Sequence, residues 1–216
     1  MTDNSASKRP RLLDLFCKAG GASVGYARAG FEVEGVDIEP QPHYPFKFYQ
    51  ADALTFDLEG YDAYHASPPC YENTWSARRW IDGPVAYEKQ DRLTETRDKL
   101  LVIEKPFVLE NTPGADMNGY IKLEGTMFGL RVIRERWFEL HGFDILLLPG
   151  KLYEKSPVAS GRYFTVAGHG GNSKDYRLKT WQDAMGIDWM AKQELTQAIP
   201  PAYTEFIGQY LMKAVL

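Results

Sequence analysis

The sequence predicts an α/β fold built on a doubly wound, mostly parallel β-sheet. Short apolar runs alternate with segments of helical spacing through the first half of the chain, and such alternation is typical of parallel strands joined by right-handed crossovers. A glycine pair, Gly20-Gly21, closely follows the first apolar run. At 216 residues, with 44% hydrophobic and 25% charged residues, the chain has the size and composition of one ordinary globular domain.

The predicted elements follow one another in a regular order. The first strand, Arg11 to Phe16, is the apolar run before the glycine pair, and a helix over Ala22 to Gly30 ends on glycine. A second helix is predicted over Tyr87 to Ile103, where the spacing is helical and charges are frequent. Four more strands are predicted at Phe31 to Val36, Phe46 to Tyr49, Asp62 to Ala66 and Phe107 to Leu109.

Charge and cysteine content restrict the classes of function. The formal net charge is -4, whereas nucleic-acid binders are more often basic, so a nucleic-acid site on this chain has to be a local basic surface. Only Cys17 and Cys70 are cysteines, and no secretory signal is recognisable, which favours free thiols in a reducing, cytoplasmic compartment. We expect residues 1–10 to form a flexible tail, and no membrane association, because no apolar run approaches spanning length.

The glycine pair and two acids indicate a site for a small ligand. A strand, a glycine turn and a helix leave backbone N–H groups open at the helix start, where a ligand can approach closely. Asp37 ends the second strand, where an acid can bind ribose hydroxyls, and Asp52 follows the third strand. The spacing is not G-x-G-x-x-G, so a nucleoside-containing cofactor other than a nicotinamide is predicted. A purely structural turn, with Asp37 as a helix cap, is the alternative.

A stiff tripeptide, Pro68-Pro69-Cys70, follows the strand predicted at Asp62 to Ala66. Each proline fixes its own φ and biases the preceding residue toward extended geometry. The thiol of Cys70 is therefore held at a defined place, as a nucleophile has to be. A buried cysteine in a turn is the alternative interpretation of the tripeptide taken alone.

Five segments, in order, resemble the signature motifs of the DNA cytosine-5 methyltransferases. They are Asp14-Leu15-Phe16-Cys17-Lys18-Ala19-Gly20-Gly21, Pro68-Pro69-Cys70, Glu110-Asn111, Arg134-Glu135-Arg136 and Gln197-Ala198-Ile199-Pro200-Pro201. Together they span nearly the whole chain, and the compact layout is similar to that of small phage-encoded members. The resemblance implies a Rossmann-like, S-adenosylmethionine-dependent methyltransferase fold, and the host-cell cytoplasm as the compartment if a phage encodes the chain.

The resemblance also implies which residues act on the cytosine. Cys70 would add to C6 as a thiolate and make C5 nucleophilic, and Glu110 would hold the base and donate a proton to N3. Arg134 and Arg136 would fix Glu110 and the nucleotide, and Asn111 would brace the loop. Taken separately, Glu110-Asn111 can be read as a turn after a strand, and the two arginines as part of a solvated strand face.

The implied cofactor is S-adenosylmethionine, bound over the strand ends. The residues expected to contact it lie in the motifs and at the strand ends: Phe16, Lys18, Ala19, Gly20, Gly21, Asp37, Ile38, Asp52, Pro69, Gln197 and Ala198. The residues expected to contact the flipped cytosine of DNA are Ser67, Pro68, Tyr71 and Asn111. Neither a metal nor an obligate protein partner is implied.

Two residues depart from the family's pattern. Lys18 stands where the family has glycine, next to the methionine end of the cofactor, and its side chain either turns to solvent or recognises an extra negative charge. A carboxylated S-adenosylmethionine would supply that charge, and the transferred group would then be carboxymethyl. Tyr71 stands where the family has glutamine, so the loop from Glu72 to Arg92 either contacts the substrate differently or packs its aromatic residues in the core.

The expected division of the chain has three main parts: a catalytic core over 11–139, a reduced target-recognition insert over 140–182, and a C-terminal segment over 183–216 that completes the core. The insert contains six basic and three acidic residues, enough to hold phosphates but too few to read a long sequence. We therefore expect short or relaxed specificity. RNA or free cytidine nucleotides as substrate, and a non-catalytic cofactor-binding protein, are the alternatives.

Overall fold

The computed structural model describes residues 8–69, 91–151, 158, 161–167 and 177–216. Its strands are β1 Arg11–Leu15, β2 Glu32–Asp37, β3 Lys47–Gln50, β4 Ala63–Ala66, β5 Phe107–Asn111, β6 Tyr120–Leu123 and β7 Arg136–His141. They form one sheet in the order β3-β2-β1-β4-β5-β7-β6, and every pairing is parallel except the two made by β7. The predicted fold class, an α/β protein with a mostly parallel sheet, is confirmed.

Helices pack on both faces of the sheet. They are α1 Gly21–Arg28, α2 Arg92–Leu101, α3 Leu178–Met185, α4 Lys192–Leu195 and α5 Pro201–Val215, with a 3₁₀ turn at Gly125–Phe128. On one face, Tyr26 of α1 and Ile207 of α5 pack with Leu12. On the other, Leu100 of α2 packs with Leu13, because successive side chains of a strand point to opposite faces. Within the described ranges, no helix has the length and apolar character needed to cross a bilayer.

The strands predicted from the sequence agree with the structure within two residues at each end. The second predicted helix begins at Arg92 in the described part of the chain, and the Asp91 side chain caps it by accepting a hydrogen bond from Thr94 N–H at 3.1 Å. Residues 87–90 lie outside the described residues. The edge strand β6 and its neighbour β7 were not predicted, because short, partly exposed strands such as Tyr120–Leu123 show little apolar alternation.

The C-terminal segment packs closely against the glycine turn. A Cβ atom on Gly25 of α1 would overlap Thr204 Oγ1, and a Cβ atom on Gly21 would overlap Ile199 O, so neither position has room for a side chain. Pro201 begins α5, a position where the missing N–H costs no helical hydrogen bond. This packing brings the segment before α5 next to the turn that follows β1.

A third apolar cluster joins the described part of the predicted insert to the C-terminal segment. Phe164 and Trp181 pack there with Met185 and Leu195. The expected boundary at residue 182 falls inside α3, so the two segments share a helix as well as a cluster.

One buried carboxylate, Glu34 of β2, is surrounded by hydrogen-bond donors. Arg11 and Lys47 donate to its Oε1 at 3.1 and 3.2 Å, and the hydroxyls of Tyr49 and Tyr61 donate to its Oε2 at 3.0 and 2.7 Å. Burial by itself would raise the pKa, but the four donors outweigh it and lower the pKa of Glu34 to about 2. The cluster links β1, β2, β3 and the segment that leads into β4.

We predict that Glu34→Gln lowers the free energy of unfolding at pH 7 by about 2–3 kcal/mol, because a neutral amide cannot form the two ion pairs. A lowered carboxyl pKa stabilises the ionised folded state, so the wild-type contribution is complete above the ordinary pKa and is lost as the pH falls toward 2. Urea denaturation at pH 7 and pH 3 should show the difference between the proteins shrinking in acid. Glu32→Gln, at an exposed position of the same strand, is the control, and equal losses in both variants would contradict the prediction.

Candidate active site

The loops that carry the predicted site residues meet at one edge of the sheet. Strands β1, β2, β4 and β5 are parallel, so their carboxyl ends, at Leu15, Asp37, Ala66 and Asn111, lie on the same edge. Strand β7 runs the other way and begins at this edge with Arg136. In the sheet, β2 lies on one side of β1 and β4 on the other, so the strand order reverses at β1. Such a switch point is where open α/β sheets usually bind their ligands.

The turn after β1 has an unusual backbone. Phe16, Lys18 and Gly20 have φ values of 60°, 45° and 81°, in the left-handed region where a residue with a Cβ atom loses roughly 1–2 kcal/mol. This conformation explains why glycine suits position 18 in the motif that the turn resembles. Gly20 is the N-cap of α1 and provides no side-chain cap, and the N–H of Ser23 in the first turn acts on the Asp14 carboxyl group. The N–H groups of Gly21 and Ala22 are therefore the ones that a ligand would use.

Contacts from the C-terminal segment hold the same turn. Trp189 Nε1 donates to Ala19 O at 2.9 Å, and Ala19 belongs to the same apolar cluster as Ala198. Gln197 is exposed, and its N–H and that of Ala198 both donate to Glu194 O at 3.0 Å. The structure thus brings the predicted Ala19 and Ala198 together, and adds Trp189, which no local pattern indicated.

Asp37 and Lys18 form one polar group at the end of β2. The Asp37 carboxylate accepts hydrogen bonds from the N–H groups of Lys18 and Glu39 at 3.1 and 3.0 Å. Lys18 Nζ lies 2.7 Å from Glu39 Oε2 and 3.7 Å from Asp37 Oδ1. The ammonium group therefore points at two carboxylates instead of simply turning to solvent, and an anionic cofactor would have to compete with them.

Ile38 and Asp52 lie on the neighbouring loops. Ile38 is 66% exposed, an apolar side chain left open directly after β2. Asp52 Oδ1 accepts a hydrogen bond from Leu54 N–H at 2.9 Å in the turn after β3. Lys99 of α2, which the sequence did not single out, fixes this turn by donating to Leu54 O and Phe56 O at 2.8 and 2.7 Å.

Glu110 of β5 is a buried acid paired with one arginine. Arg136 Nε lies 3.0 Å from Glu110 Oε1 but is not aligned as a hydrogen bond, and Oε1 has no hydrogen-bond partner among the described residues. Burial raises the pKa of Glu110, while Arg136, the Ser67 hydroxyl and Arg134 oppose that shift. The carboxyl group therefore holds a proton at higher pH than an ordinary glutamate does.

The structure separates the roles of the two arginines. Arg134 is buried and donates to Val166 O and to Thr196 O, both at 2.7 Å. Its guanidinium links the described part of the insert to the C-terminal segment, and its charge acts on Glu110 without a direct ion pair. This differs from the expectation that both arginines hold Glu110, because in the described part of the chain only Arg136 pairs with that carboxylate.

The described part of the proline loop is held by the strands on either side of it. Ser67 N–H donates to Leu15 O at 3.2 Å, and Asn111 Nδ2 donates to Pro68 O at 3.1 Å, which is the contact that a bracing role requires. Pro68 is buried and Pro69 is partly exposed. Outside the described residues lie Cys70, Tyr71 and residues 72–90.

The other cysteine, Cys17, is unsuited to nucleophilic chemistry. It is a free thiol that is 6% exposed. Burial, with smaller effects from the charges of Asp14 and Asp37, raises the pKa of Cys17. Because the thiolate is the reactive form, this thiol stays inert, and Cys70 remains the candidate nucleophile.

Sequence reasoning gave no role to a buried acid inside β1. Asp14 is fully buried, its Oδ2 accepts a hydrogen bond from Ser23 Oγ, and Ser23 Oγ lies 2.8 Å from Tyr44 OH. Burial raises the pKa of Asp14 to about 7, and its Oδ1 has no hydrogen-bond partner within the described ranges. The available signal was an acid in an otherwise apolar central strand, since buried polar groups are rarely left without a partner.

No protein-family model matches the sequence, and no curated protein shows significant similarity to it. Solved structures do match its fold. The protein is similar to the S. pombe Dnmt2 methyltransferase, with a TM-score of 0.60 and 12% identity over 93% of this chain and 98% of that one. It is also similar to the Entamoeba histolytica methyltransferase EhMeth, with a TM-score of 0.61 and 11% identity over 95% of this chain and 98% of that one.

A third neighbour is a candidate DNA modification methyltransferase encoded within an E. coli prophage. The TM-score is 0.50 and the identity 21%, over 67% of this chain and 52% of that one, so the chain spans about half the length of this neighbour. These likenesses show that the chain shares the fold of these methyltransferases.

Proposed function

We propose that the protein transfers a methyl group from S-adenosylmethionine to C5 of cytosine in DNA, through a covalent bond between Cys70 Sγ and C6 of the base. The observation that carries this proposal is the buried pair of Glu110 and Arg136 beside the proline loop, at the ligand-binding edge of the sheet. Oε1 of this buried carboxyl group accepts no aligned hydrogen bond from the described residues. A carboxyl group in this state suits cytosine, whose exocyclic amine is a donor and whose N3 can take a proton.

The crevice beside Glu110 has features that fit S-adenosylmethionine. The uncapped start of α1 suits the carboxylate of the methionine end, and the open Oδ1 of Asp14 suits its ammonium group. Ile38 offers an exposed apolar surface to adenine, while Asp37 and Asp52 offer acceptors to the ribose hydroxyls and the adenine amine. When bound, S-adenosylmethionine supplies an electrophilic methyl group.

The residues of the chain make the cytosine ring nucleophilic. Cys70 Sγ bonds to C6, the displaced electron pair moves to N3, and Glu110 gives N3 its proton. C5 is then part of an enamine and can bond to the methyl group. Loss of the C5 proton to a base, departure of the thiolate and return of the N3 proton to the Glu110 carboxylate restore the aromatic ring and free both Cys70 and Glu110.

Glu110 and Arg136 control whether that proton is available. The raised pKa of Glu110 keeps part of the population protonated at higher pH than usual. After N3 has taken the proton, the Arg136 guanidinium stabilises the carboxylate that remains, at the 3.0 Å separation already present. The charge that forms during the reaction is therefore met by a group already in place.

DNA is the proposed substrate. The cytosine has to leave the stack to enter the crevice, as in other enzymes that modify a base. The insert over 140–182 carries six basic and three acidic residues in a chain with a net charge of -4, so positive charge is concentrated where phosphates would be held. One fold neighbour is itself named as a candidate DNA modification methyltransferase.

Incubation of the purified protein with mixed-sequence duplex DNA and S-adenosylmethionine is expected to give 5-methylcytosine, identified by nucleoside mass and chromatography. Cys70→Ala should reduce product formation by about a thousandfold or more, because the ring is no longer activated at C6. Cys17→Ala, which removes the buried thiol, is the matched control and should keep making product.

Undiminished product from Cys70→Ala would contradict the proposed mechanism. Product from RNA or cytidine nucleotides alone would reassign the substrate. A carboxymethyl product, formed only with a carboxylated cofactor, would favour the anion-recognising role of Lys18 over plain methyl transfer.

Arg136→Ala should lower the free energy of unfolding at pH 8 by about 3 kcal/mol, because it leaves the Glu110 carboxylate buried without its cation. The pKa of Glu110, already raised by burial, should rise further. A raised carboxyl pKa favours the protonated folded state, so the variant should regain stability as the pH falls through that pKa. Urea denaturation at pH 8 and pH 6 measures this change in the free energy of unfolding. Adding Glu110→Gln to Arg136→Ala should restore much of the lost stability, because no buried carboxylate then remains. A loss of stability that is independent of pH would contradict the prediction.

A further inference from the structure

We infer that His65 is a positioning residue for Glu110, acting through the Ser67 hydroxyl from inside β4. The inference rests on the proposed function, in which Glu110 donates a proton to cytosine. His65 lies in a central strand, where its register partners are Asp14 of β1 and Val108 of β5, and it is fully buried. A buried polar side chain at such a position requires partners.

The partners of His65 form a chain of side chains that leads to Glu110. Its Nδ1 lies 3.0 Å from Tyr26 OH of α1, and its Nε2 lies 2.8 Å from Ser67 Oγ. Ser67 and Glu110 directly follow Ala66 and Leu109, which are register partners in β4 and β5, so the two side chains are neighbours at the strand ends. The Ser67 hydroxyl opposes the rise in the pKa of Glu110, as a hydrogen-bond donor does. Tyr26 and His65 are both fully buried, so solvent cannot replace the contacts between them.

The imidazole in this chain is neutral. Burial lowers the pKa of His65 to about 3, so the ring carries a single N–H near neutral pH. One ring nitrogen therefore donates a hydrogen bond and the other accepts one. The two contacts of His65 cannot both be donations.

Glu110, the last member of this series of hydrogen-bonded side chains, determines which group donates in each contact. An ionised Glu110 only accepts, so Ser67 has to donate to it, and the Ser67 oxygen is then free to accept from His65 Nε2–H. Nδ1 is left as an acceptor, and Tyr26 OH donates to it. A single arrangement satisfies every group, and it ends with a proton that points at Glu110.

Orientation is what separates Ser67 from the other groups that act on Glu110. The charged or titratable groups among them are Asp14, Tyr26, Arg134, Arg136 and Tyr203. The arginine charges stabilise the carboxylate without any hydroxyl being oriented, whereas Ser67 does so only while its proton points at Glu110. His65 enforces that orientation, and a donor fixed in advance stabilises the carboxylate that remains once N3 has taken the proton.

The test is the titration of Glu110 in the protein without DNA, followed by carbon NMR of its carboxyl group and assigned with Glu110→Gln. Ser67→Ala and His65→Leu should each raise the midpoint by about one pH unit, a tenfold change in the ionisation constant. His65→Gln keeps one donor and one acceptor, and should restore most of the wild-type midpoint. The matched control is His141→Leu, which removes a histidine that contacts Glu139 at 2.6 Å at the opposite edge of the sheet, and it should leave the midpoint in place.

The same variants also separate the inference from the function on which it rests. In the methylation assay, the pH at which the rate changes should move with the NMR midpoint in Ser67→Ala and His65→Leu. An unmoved midpoint in both variants, or a His65→Gln midpoint equal to that of His65→Leu, would overturn the positioning role. Ser67→Ala removes a single hydroxyl from a partly exposed residue, so this variant still decides the test if His65→Leu does not fold. Absence of a modified base with the wild-type protein would overturn the proposed function instead, and the titration does not depend on that result.

Discussion

The pairing of Glu110 with Arg136 is the interaction on which the rest of the site depends. A carboxylate that is 5% exposed is strongly destabilising without a nearby cation, and Arg136 Nε supplies one at 3.0 Å. The pairing requires β7 to run antiparallel beside β5, because only then does the first residue of β7 lie at the carboxyl end of β5. The one reversed strand of the sheet thus has a direct chemical consequence.

Burial at this edge comes from helix packing, and it sets the charge states of the polar groups there. The absence of side chains at Gly21 and Gly25 lets the C-terminal segment approach α1 closely. Burial of these side chains raises the pKa of Asp14 to about 7 and lowers the pKa of His65 to about 3. It also raises the pKa of Glu110. The same packing that stabilises the fold therefore prepares acids that hold their protons at higher pH than ordinary carboxyl groups do.

Local patterns predicted the features that depend on neighbours in the sequence. Strand alternation predicted the strands and the mostly parallel sheet, because backbone geometry repeats over a few residues. The bond from Trp189 to Ala19 joins residues 170 positions apart, and no local pattern encodes such a contact. Lys99 could be placed on a helix but not on the turn after β3. The different contacts of Arg134 and Arg136 could not be predicted either, because Arg134 bonds to carbonyl groups that only folding brings close.

Attack by Cys70 on C6 of cytosine is the central claim, and trapping on DNA that contains 5-fluorocytosine tests it most directly. Fluorine at C5 cannot leave as the proton does, so the bond between Sγ and C6 persists. We expect a protein–DNA adduct that survives denaturation, accumulates only when S-adenosylmethionine is present, and maps by mass spectrometry to the peptide that contains Cys70. The absence of an adduct, or an adduct that maps to Cys17, would contradict it.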